Sequence, residues 1–279
     1  MDNQAQVVEN SQSPGWIARI LNLETLMDVR DDNGDEKMPV LSWPLAIGIM
    51  VIAVAAITVV RWYQQNYSFT VGLDYFEPEF QTYWMNLFYA QIILITLFGL
   101  VATAYAWFTR PAEITITPHK ELSYYMVLFS ALAGAGVIAP VAVALFVEAD
   151  AAWHQVTIRD TDFTPTHILL FYGLIPAGLA GGVAGFVWLH TRMPDFRNRI
   201  SFNMALAISG FLLIMPNLGF NEWGHTFFYA EELFAAPIHW GFVTLGWASF
   251  AIGGLIVQML LRVQKLTLLI EKDKAEARV

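Results

Sequence analysis

The sequence predicts an all-α, polytopic membrane protein: a bundle of six transmembrane helices with both termini cytoplasmic, preceded by an interfacial N-terminal helix. Composition is the first reason, because 56% of the residues are hydrophobic and only 14% are charged, with a mean hydropathy of +0.49. A soluble domain carries about 25% charged residues. The second reason is that the hydrophobic residues form long runs, each near the roughly 20 residues that cross a bilayer core. The third is the distribution of Lys and Arg, described below.

Six apolar runs are predicted to be the spans. They cover residues 43–62, 84–108, 122–147, 166–190, 201–219 and 237–261. The fifth run, "SFNMALAISGFLLIMPNLG", is short and ends at Pro216 and Gly219. These limits divide the chain into a cytoplasmic and interfacial N-terminal segment (1–42), a transmembrane domain (43–261) and a cytoplasmic C-terminal tail (262–279), which we expect to be a solvated helix.

The N-terminal segment is polar, but it contains one amphipathic stretch. In "PGWIARILNLETLM" (14–27) the apolar residues recur at helical spacing, which predicts a helix that lies along the membrane interface. The first residues, "MDNQAQVVENSQSPGW", have no basic segment followed by an apolar core. We therefore expect no cleavable signal peptide.

The basic residues predict the orientation. With the N-terminus inside, thirteen of the fifteen Lys and Arg residues fall on the inner side, and only Arg61 and Arg159 fall outside. Cytoplasmic connections of membrane proteins carry this excess of positive charge. An odd number of spans would remove the asymmetry, so the count supports six.

The chain contains no Cys, which excludes disulfides and thiolate metal sites. Any metal must be held by imidazole, carboxylate or amide groups. Such ligands favour copper, zinc or non-haem iron over an iron–sulfur cluster.

One candidate metal site follows the third span on the predicted outer side. Asp150 and His154 are four residues apart, so on a helix they lie one turn from each other on one face. His167 comes thirteen residues later, at the start of the fourth span. A short outer connection would bring it back beside the first two. Two imidazoles and one carboxylate form a known metal-binding set with open positions.

A second, similar set follows the fifth span on the same side. Asn221 and His225 are again four residues apart, and His239 follows fourteen residues later, at the start of the sixth span. Both sets also have a purely structural interpretation, since Asp or Asn commonly caps a helix end and interfacial His bonds to water or headgroups. Two parallel sets on one side favour the functional interpretation, because ionisable residues at membrane depth are expensive to keep there.

Five residues beside these sets could complete the sites. They are Trp153, Trp223, Trp240, Glu231 and Glu232. The tryptophans are typical of the aromatic belt at a membrane interface; alternatively they form a water-excluding wall or an electron relay around an oxidising metal. The two glutamates are interpreted either as partners of the ligands or as solvated acids. Arg159 is expected to pair with Asp160 or Asp162 and to be structural.

Three stretches of the chain carry a resemblance to a known family. They are "GLDYFEPEFQTYWMN" (72–86), "DAAWHQVTIRDTDFTPTHILLFYG" (150–173) and "NLGFNEWGHTFFYAEELFAAPIHWGFV" (217–243). They closely resemble the C subunit of the copper membrane monooxygenases, the family of particulate methane monooxygenase, ammonia monooxygenase and their short-alkane relatives. The resemblance covers about a third of the chain and is concentrated in these three stretches.

The resemblance implies two copper sites, with all ligands intact. The first consists of Asp150, His154 and His167, and zinc could occupy it in vitro. The second, closer to the lipid-facing region, consists of Asn221, His225 and His239. Ala149 stands where many relatives are expected to have Gln, a departure that leaves the ligands unchanged. Which of the two sites is catalytic is left open.

The resemblance further implies the assembly and the reaction. The chain is expected to join the A and B subunits of the same enzyme in a trimer of heterotrimers, within the lipid of a bacterial inner or intracytoplasmic membrane. Both metal sites would lie towards the periplasmic face. The complex would hydroxylate methane, ammonia or short-chain alkanes with O₂ and two electrons from quinol or another donor. No nucleic-acid partner is expected.

Two other functions are compatible with the residues themselves. The chain could be a non-catalytic scaffold subunit with structural metals, the oxidation taking place in a partner. It could also be a transporter or proton-conducting subunit, since membrane His and Asp build proton relays. A relay should cross the bilayer, whereas the candidate ligands gather at one face, which disfavours the transporter.

Overall fold

The computed structural model describes residues 38–154, 163–213 and 231–276, with only the backbone described at 143, 147, 150, 151, 153, 154 and 231–245. Seven helices form this part of the chain, and no strand occurs in it. They are α1 (Trp43–Val71), α2 (Pro78–Phe108), α3 (Pro118–His154), α4 (Pro165–Arg192), α5 (Pro194–Arg197), α6 (Phe202–Leu213) and α7 (Glu231–Glu276). The predicted all-α class is therefore confirmed for the described residues.

Five of these helices are long and apolar enough to cross a membrane: α1 to α4, and α7 over Gly246–Glu276. Each contains or overlaps one of the predicted spans. The fifth predicted span is represented only by α6, which is shorter than a span. Its remaining residues, 214–219, lie outside the described residues, as does the predicted interfacial helix at 14–27. The count of six spans and the side of each terminus stay predictions, and so do the domain limits.

The helix of the first predicted span is longer than that span. The span was predicted to end at residue 62, whereas α1 continues to Val71 through the comparatively polar stretch "RWYQQNYSFTV". The polar residues Gln64 and Ser68 are buried against the rest of the bundle instead of facing water. These polar residues therefore belong to a surface that packs against other helices, and they do not mark the end of α1.

The helices approach one another closely at glycines. α1 packs against α3, and α2 packs against α4. A Cβ atom on Gly134 of α3 would lie 2.7 Å from the carbonyl oxygen of Ala46, and one on Gly99 of α2 would lie 3.0 Å from Cβ of Ala180. Small residues allow this approach between membrane helices, where van der Waals packing replaces the hydrophobic effect as the main attraction.

The bundle has two ends, named here from the predicted orientation. The predicted outer end consists of the C-terminal ends of α1 and α3 and the N-terminal ends of α2 and α4. The predicted inner end is the opposite one. At the inner end a hydrophobic core joins α3, α4, α5, α6 and α7; its buried members are Leu122, Tyr125, Leu189, Met193, Phe196, Met204, Met259, Leu266 and Ile270.

A buried ion pair ties α3 to α7 beside this core. The guanidinium of Arg262 donates from Nε and Nη2 to the two carboxylate oxygens of Glu121, both at 2.8 Å. Glu121 is only 2% exposed. The segment after residue 262 continues α7, and its residues Leu266 and Ile270 are buried, while 271–276 are exposed. The first turns of the tail are thus packed, and only its end is solvated.

Removing Arg262 should destabilise the protein strongly. Arg262→Met leaves the Glu121 carboxylate buried without its counter-ion, which costs about 3 kcal/mol in comparable buried pairs. The double variant Glu121→Gln/Arg262→Met should recover most of that loss, because no buried charge remains. Thermal unfolding of the purified protein in detergent measures both effects.

Arg199→Met is the matched control for this experiment. Arg199 is paired with Asp195 at 3.1 Å, but its side chain is 67% exposed. Exposed ion pairs contribute about 0–1 kcal/mol. Equal losses from Arg262→Met and Arg199→Met would show that the buried pair has no special role.

Candidate metal centre

Two predicted ligands of the first set lie at the end of α3. Asp150 and His154 fall within the helix, which ends at His154 in the described part of the chain. They are one turn apart, as predicted, and their positions continue the helical face of Phe146, which is buried. Only their backbone is described, so their side chains stay a matter of prediction.

The third predicted ligand, His167, lies in the first turn of α4 and is 4% exposed. Thr164 caps this helix: its hydroxyl oxygen accepts a hydrogen bond from the backbone N–H of His167 at 3.2 Å. Pro165 occupies the first helical position, where its missing N–H leaves no bond unmade. The sequence "TPTH" therefore fixes the start of α4 and the position of His167 within one turn of it.

This first turn packs against three other helices. Residues Pro165–Leu169 contact α1, α2 and α3. α3 is the helix that carries positions 150 and 154. The return of His167 to these two positions stays a prediction.

The second predicted set lies almost entirely outside the described side chains. Asn221, Trp223 and His225 belong to 214–230, which the structure does not describe. Glu231, Glu232, His239 and Trp240 lie on α7, and Trp153 lies on α3, all with backbone only. No group of three or more His, Asp and Glu side chains converges among the described residues. Of the six predicted ligands, those residues include the side chain of His167 alone.

A polar contact between α1 and α4 adjoins His167. The amide nitrogen of Gln64 donates to the hydroxyl of Thr166 at 3.1 Å, and Arg61 donates to the amide oxygen of Gln64 at 2.7 Å. Gln64 and Thr166 are both buried. The contact anchors the residue before His167 to α1 and orders the first turn of α4.

The turn after His167 is wider than an α-helical turn. Residues Leu170–Leu174 form a π-turn, in which backbone hydrogen bonds run from residue i to i+5. The side-chain amide of Gln91 on α2 donates to the backbone carbonyl of Ile168, directly beside this turn. Gly173 makes room for the contact, since a Cβ atom there would lie 2.9 Å from Oε1 of Gln91.

A second π-turn faces the first from α2. It covers Gln81–Met85, and its Trp84 and Met85 are buried together with Phe80 and with Ile168 of α4. Two such turns near each other are unusual, because π-turns are rare. Those that occur are frequently found at functional sites. Neither turn is predicted from the sequence, since a shifted hydrogen bond leaves the hydrophobic pattern almost unchanged.

Aromatic rings fill the space around these turns. We call this group the aromatic wall; it consists of Tyr63, Tyr67, Tyr75, Tyr83, Trp84, Phe88, Phe163 and Tyr172. Tyr67 and Tyr83 stack with ring centroids 4.6 Å apart, and the indole N–H of Trp84 donates to the carbonyl of Tyr67 at 3.1 Å. The ring of His167 lies 4.8 Å from that of Phe171.

The aromatic wall differs from the wall predicted from sequence. That prediction named Trp153, Trp223 and Trp240, whose side chains lie outside those described. Most of the observed wall comes from the end of α1 and from the stretch 72–86, which stood out in the sequence by resemblance only, and Phe88, Phe163 and Tyr172 complete it. The density of aromatic residues in "WYQQNY" and "YFEPEFQTYW" is a sequence feature from which this aromatic cluster could have been predicted.

The described part of the site combines a buried imidazole, a capped helix start and a group of packed aromatic rings nearby. Imidazole nitrogen is a good ligand for copper and zinc. The first ligand set therefore fits a metal in its chemistry, and the structure adds a rigid support for one of its three members.

Comparison with known proteins identifies the family. The chain has no match among curated protein sequences. The family model that describes the C subunit of ammonia monooxygenase and methane monooxygenase matches residues 28–271, which is most of the chain and includes both predicted ligand sets. The chain therefore belongs to the family of C subunits of ammonia and methane monooxygenases.

Proposed function

We propose that this chain is the copper-binding integral membrane subunit of a monooxygenase that hydroxylates methane, ammonia or short-chain alkanes with O₂ and two electrons. The match to the family over residues 28–271 carries the proposal, because family membership makes the chain a subunit of a membrane monooxygenase complex. The specific metal and the reaction go beyond that match. They are supported by the residues at the predicted sites.

The donor set favours copper. Asp150, His154 and His167 supply two imidazoles and a carboxylate, and Asn221, His225 and His239 supply two imidazoles and an amide. Neither set contains a thiolate, and imidazole suits copper in both of its common oxidation states. A copper ion held there would supply the redox chemistry that O₂ activation requires. His167 is already buried at the end of the bundle where both sets are predicted to lie.

The protein's own contribution is to hold and shield the site. The Thr164 cap and the contact of Gln64 with Thr166 fix the backbone on both sides of His167. The aromatic wall keeps water away from the space beside it, and exclusion of water limits unproductive side reactions of an oxidant. Methane and short alkanes are apolar and partition into the bilayer, so a site at this depth meets them directly.

The partners follow from the same proposal. We infer the A and B subunits as neighbours in a trimer of heterotrimers, the lipid of a bacterial inner or intracytoplasmic membrane as surroundings, and quinol or another donor as the electron source. Large apolar side chains on α2 support contact with lipid or other subunits, because Leu94, Leu100 and Val101 are each about two-thirds exposed. Both copper sites are inferred to face the periplasm.

The first experiment removes one ligand from each predicted site. His154→Ala and His225→Ala are introduced separately into the intact complex, and copper content and oxidation of methane, ammonia and butane are measured. The variant at the site that supports oxidation should assemble with all three subunits, lose about one copper and lose all activity. His119→Ala is the matched control, since His119 begins α3 at the opposite end of the bundle.

The same measurement distinguishes the scaffold alternative. If both ligand variants assemble and lose copper but oxidise substrate at the wild-type rate, the metals are structural and the oxidation takes place in a partner chain. If neither variant loses copper relative to His119→Ala, the predicted ligand sets are wrong.

Gly173→Ala should weaken the first copper site without touching a ligand. The new Cβ would press on Gln91 at 2.9 Å, and the hydrogen bond of Gln91 to the Ile168 carbonyl would be lost or distorted. Overpacking of this kind costs about 1–3 kcal/mol. We expect a lower unfolding temperature and reduced copper content in the purified complex.

Gly181→Ala is the control on the same helix, because a Cβ atom there meets nothing within 4 Å. It should leave copper content unchanged and, through the better helix propensity of Ala, leave stability equal or slightly higher. A Gly173→Ala complex that keeps full copper and stability would show that the π-turn does not support the site.

A further inference from the structure

The predicted inner end contains a basic cavity that the proposed function does not use. It has a volume of about 550 Å³ and lies where α2 and α4 end. Arg110, Arg197, His190 and Thr191 line it. Arg192 lies beside it and donates to the hydroxyl of Thr109 at 2.6 Å, across from α4 to the end of α2. Two guanidinium groups thus line the cavity, and a third lies next to it.

These guanidinium groups bond only to neutral acceptors among the described residues. Arg110 donates to the carbonyl of Trp107 at 2.6 Å, and Arg197 donates to the carbonyl of Ala112 at 2.9 Å. Asp195, two residues before Arg197 in the sequence, pairs instead with Arg199 at 3.1 Å. Glu113, three residues after Arg110, forms no ion pair with the arginines of the cavity. Among the described residues, no ion pair therefore neutralises Arg110 or Arg197.

An apolar crevice begins about two residues further into α2 and α4. It has a volume of about 490 Å³ and lies between α2, α3, α4, α6 and α7. Its lining is aliphatic and aromatic and includes Tyr105, Ala106, Trp188, Leu132 and Met204. Both volumes are within the range of ligand-binding sites in proteins, about 300–1,000 Å³.

Arg192 follows Thr191, which lines the cavity, and contacts two residues that line the crevice. Its guanidinium donates to the carbonyl of Ala106 at 2.9 Å and lies 5.7 Å from the ring centroid of Trp188. Ala106 and Trp188 line the crevice, whereas Phe108 and His190, two residues further along each helix, line the basic cavity. A positively charged space thus adjoins an apolar space along the direction of the membrane normal.

We propose that these two spaces form a binding site for an anionic phospholipid, with its phosphate in the basic cavity and an acyl chain in the apolar crevice. The charge complementarity carries the choice of ligand. Basic pockets between transmembrane helices on the cytoplasmic side bind the headgroups of anionic lipids. A zwitterionic lipid would fill the crevice equally well but gains less from Arg110 and Arg197 in the cavity and from Arg192 beside it. The site stands independently of the copper sites, which are proposed for the other end of the bundle.

The first arm of the test uses the unmodified complex. The purified complex is stripped of lipid in detergent and incubated with dioleoyl phosphatidylglycerol or dioleoyl phosphatidylcholine, and bound lipid is counted by native mass spectrometry. We expect retention of phosphatidylglycerol in preference to phosphatidylcholine, and a preference that falls as salt is raised. Equal retention of the two lipids would overturn the proposal without any variant being required.

The second arm removes charge from the cavity. Arg110→Gln and Arg197→Gln should each reduce the preference for phosphatidylglycerol about five-fold. Arg199→Gln is the matched control, since it removes a charge from the same end of the bundle but at a residue that does not line the cavity. An equal loss in the control would show a general surface field and not a site.

The third arm addresses the acyl chain and the competing occupants. Gly185→Leu places a side chain in the crevice near Met204 and should reduce lipid retention, whereas Gly181→Leu, whose Cβ meets nothing within 4 Å, should not. Displacement of the lipid by millimolar inorganic phosphate would indicate a site for the free anion and refute the lipid. A helix of a partner protein found in the crevice in the structure of the complex would also refute the proposal.

Discussion

Inside a bilayer no water is present to bond with a buried amide, carbonyl or hydroxyl, so these groups must find partners within protein. This constraint organises the two ends of the bundle. At the predicted outer end Gln64 bonds to Thr166, and Gln91 bonds to the carbonyl beside the π-turn of α4. At the inner end Arg262 neutralises Glu121. Between these levels the helices contact one another through small and apolar residues.

The polar contacts of the outer end also hold the turn that carries His167, a predicted metal ligand. α4 enters the bundle through a capped and proline-started turn, and the residues on both sides of His167 are held by different helices: Thr166 by α1 and Ile168 by α2. The backbone at His167 is thus held by contacts within the protein. Support by surrounding residues of this kind is what gives metal ligands a defined orientation.

The sequence predicts the helices well because a span is a local property. Long apolar runs identified α1 to α4 and α7, and the predicted start of the fourth span at residue 166 lies one residue from the start of α4 at Pro165. The end of α1 was missed because the polarity of Gln64 and Ser68 signals water or an internal partner equally well. The partner of Gln64 is 102 residues away, and nothing local reveals it.

The candidate site likewise combines features that follow from local sequence with features that depend on contacts between distant segments. The spacing of Asp150 and His154 is a local property of one helix, and the structure places both positions on α3 one turn apart. The turn that carries His167 contacts α3, and the approach of His167 to these two positions stays a prediction. The π-turns, the room left by Gly173 and the aromatic wall depend on contacts between distant segments, so a single sequence does not show them. The second set, Asn221, His225 and His239, stays a prediction from spacing and resemblance.

The π-turn of α4 also has a geometric effect on the rest of that helix. An α-helix advances about 100° per residue, so one additional residue accommodated in a wide turn rotates everything beyond it by about that angle. In α4 the residues beyond the turn include Trp188 and Arg192, at the far end of the membrane from His167. The turn thus determines how far the residues at one end of the helix are rotated about its axis relative to those at the other end. A one-residue deletion within Leu170–Leu174 would preserve length and hydrophobicity almost completely, yet it would turn one end away from its neighbours.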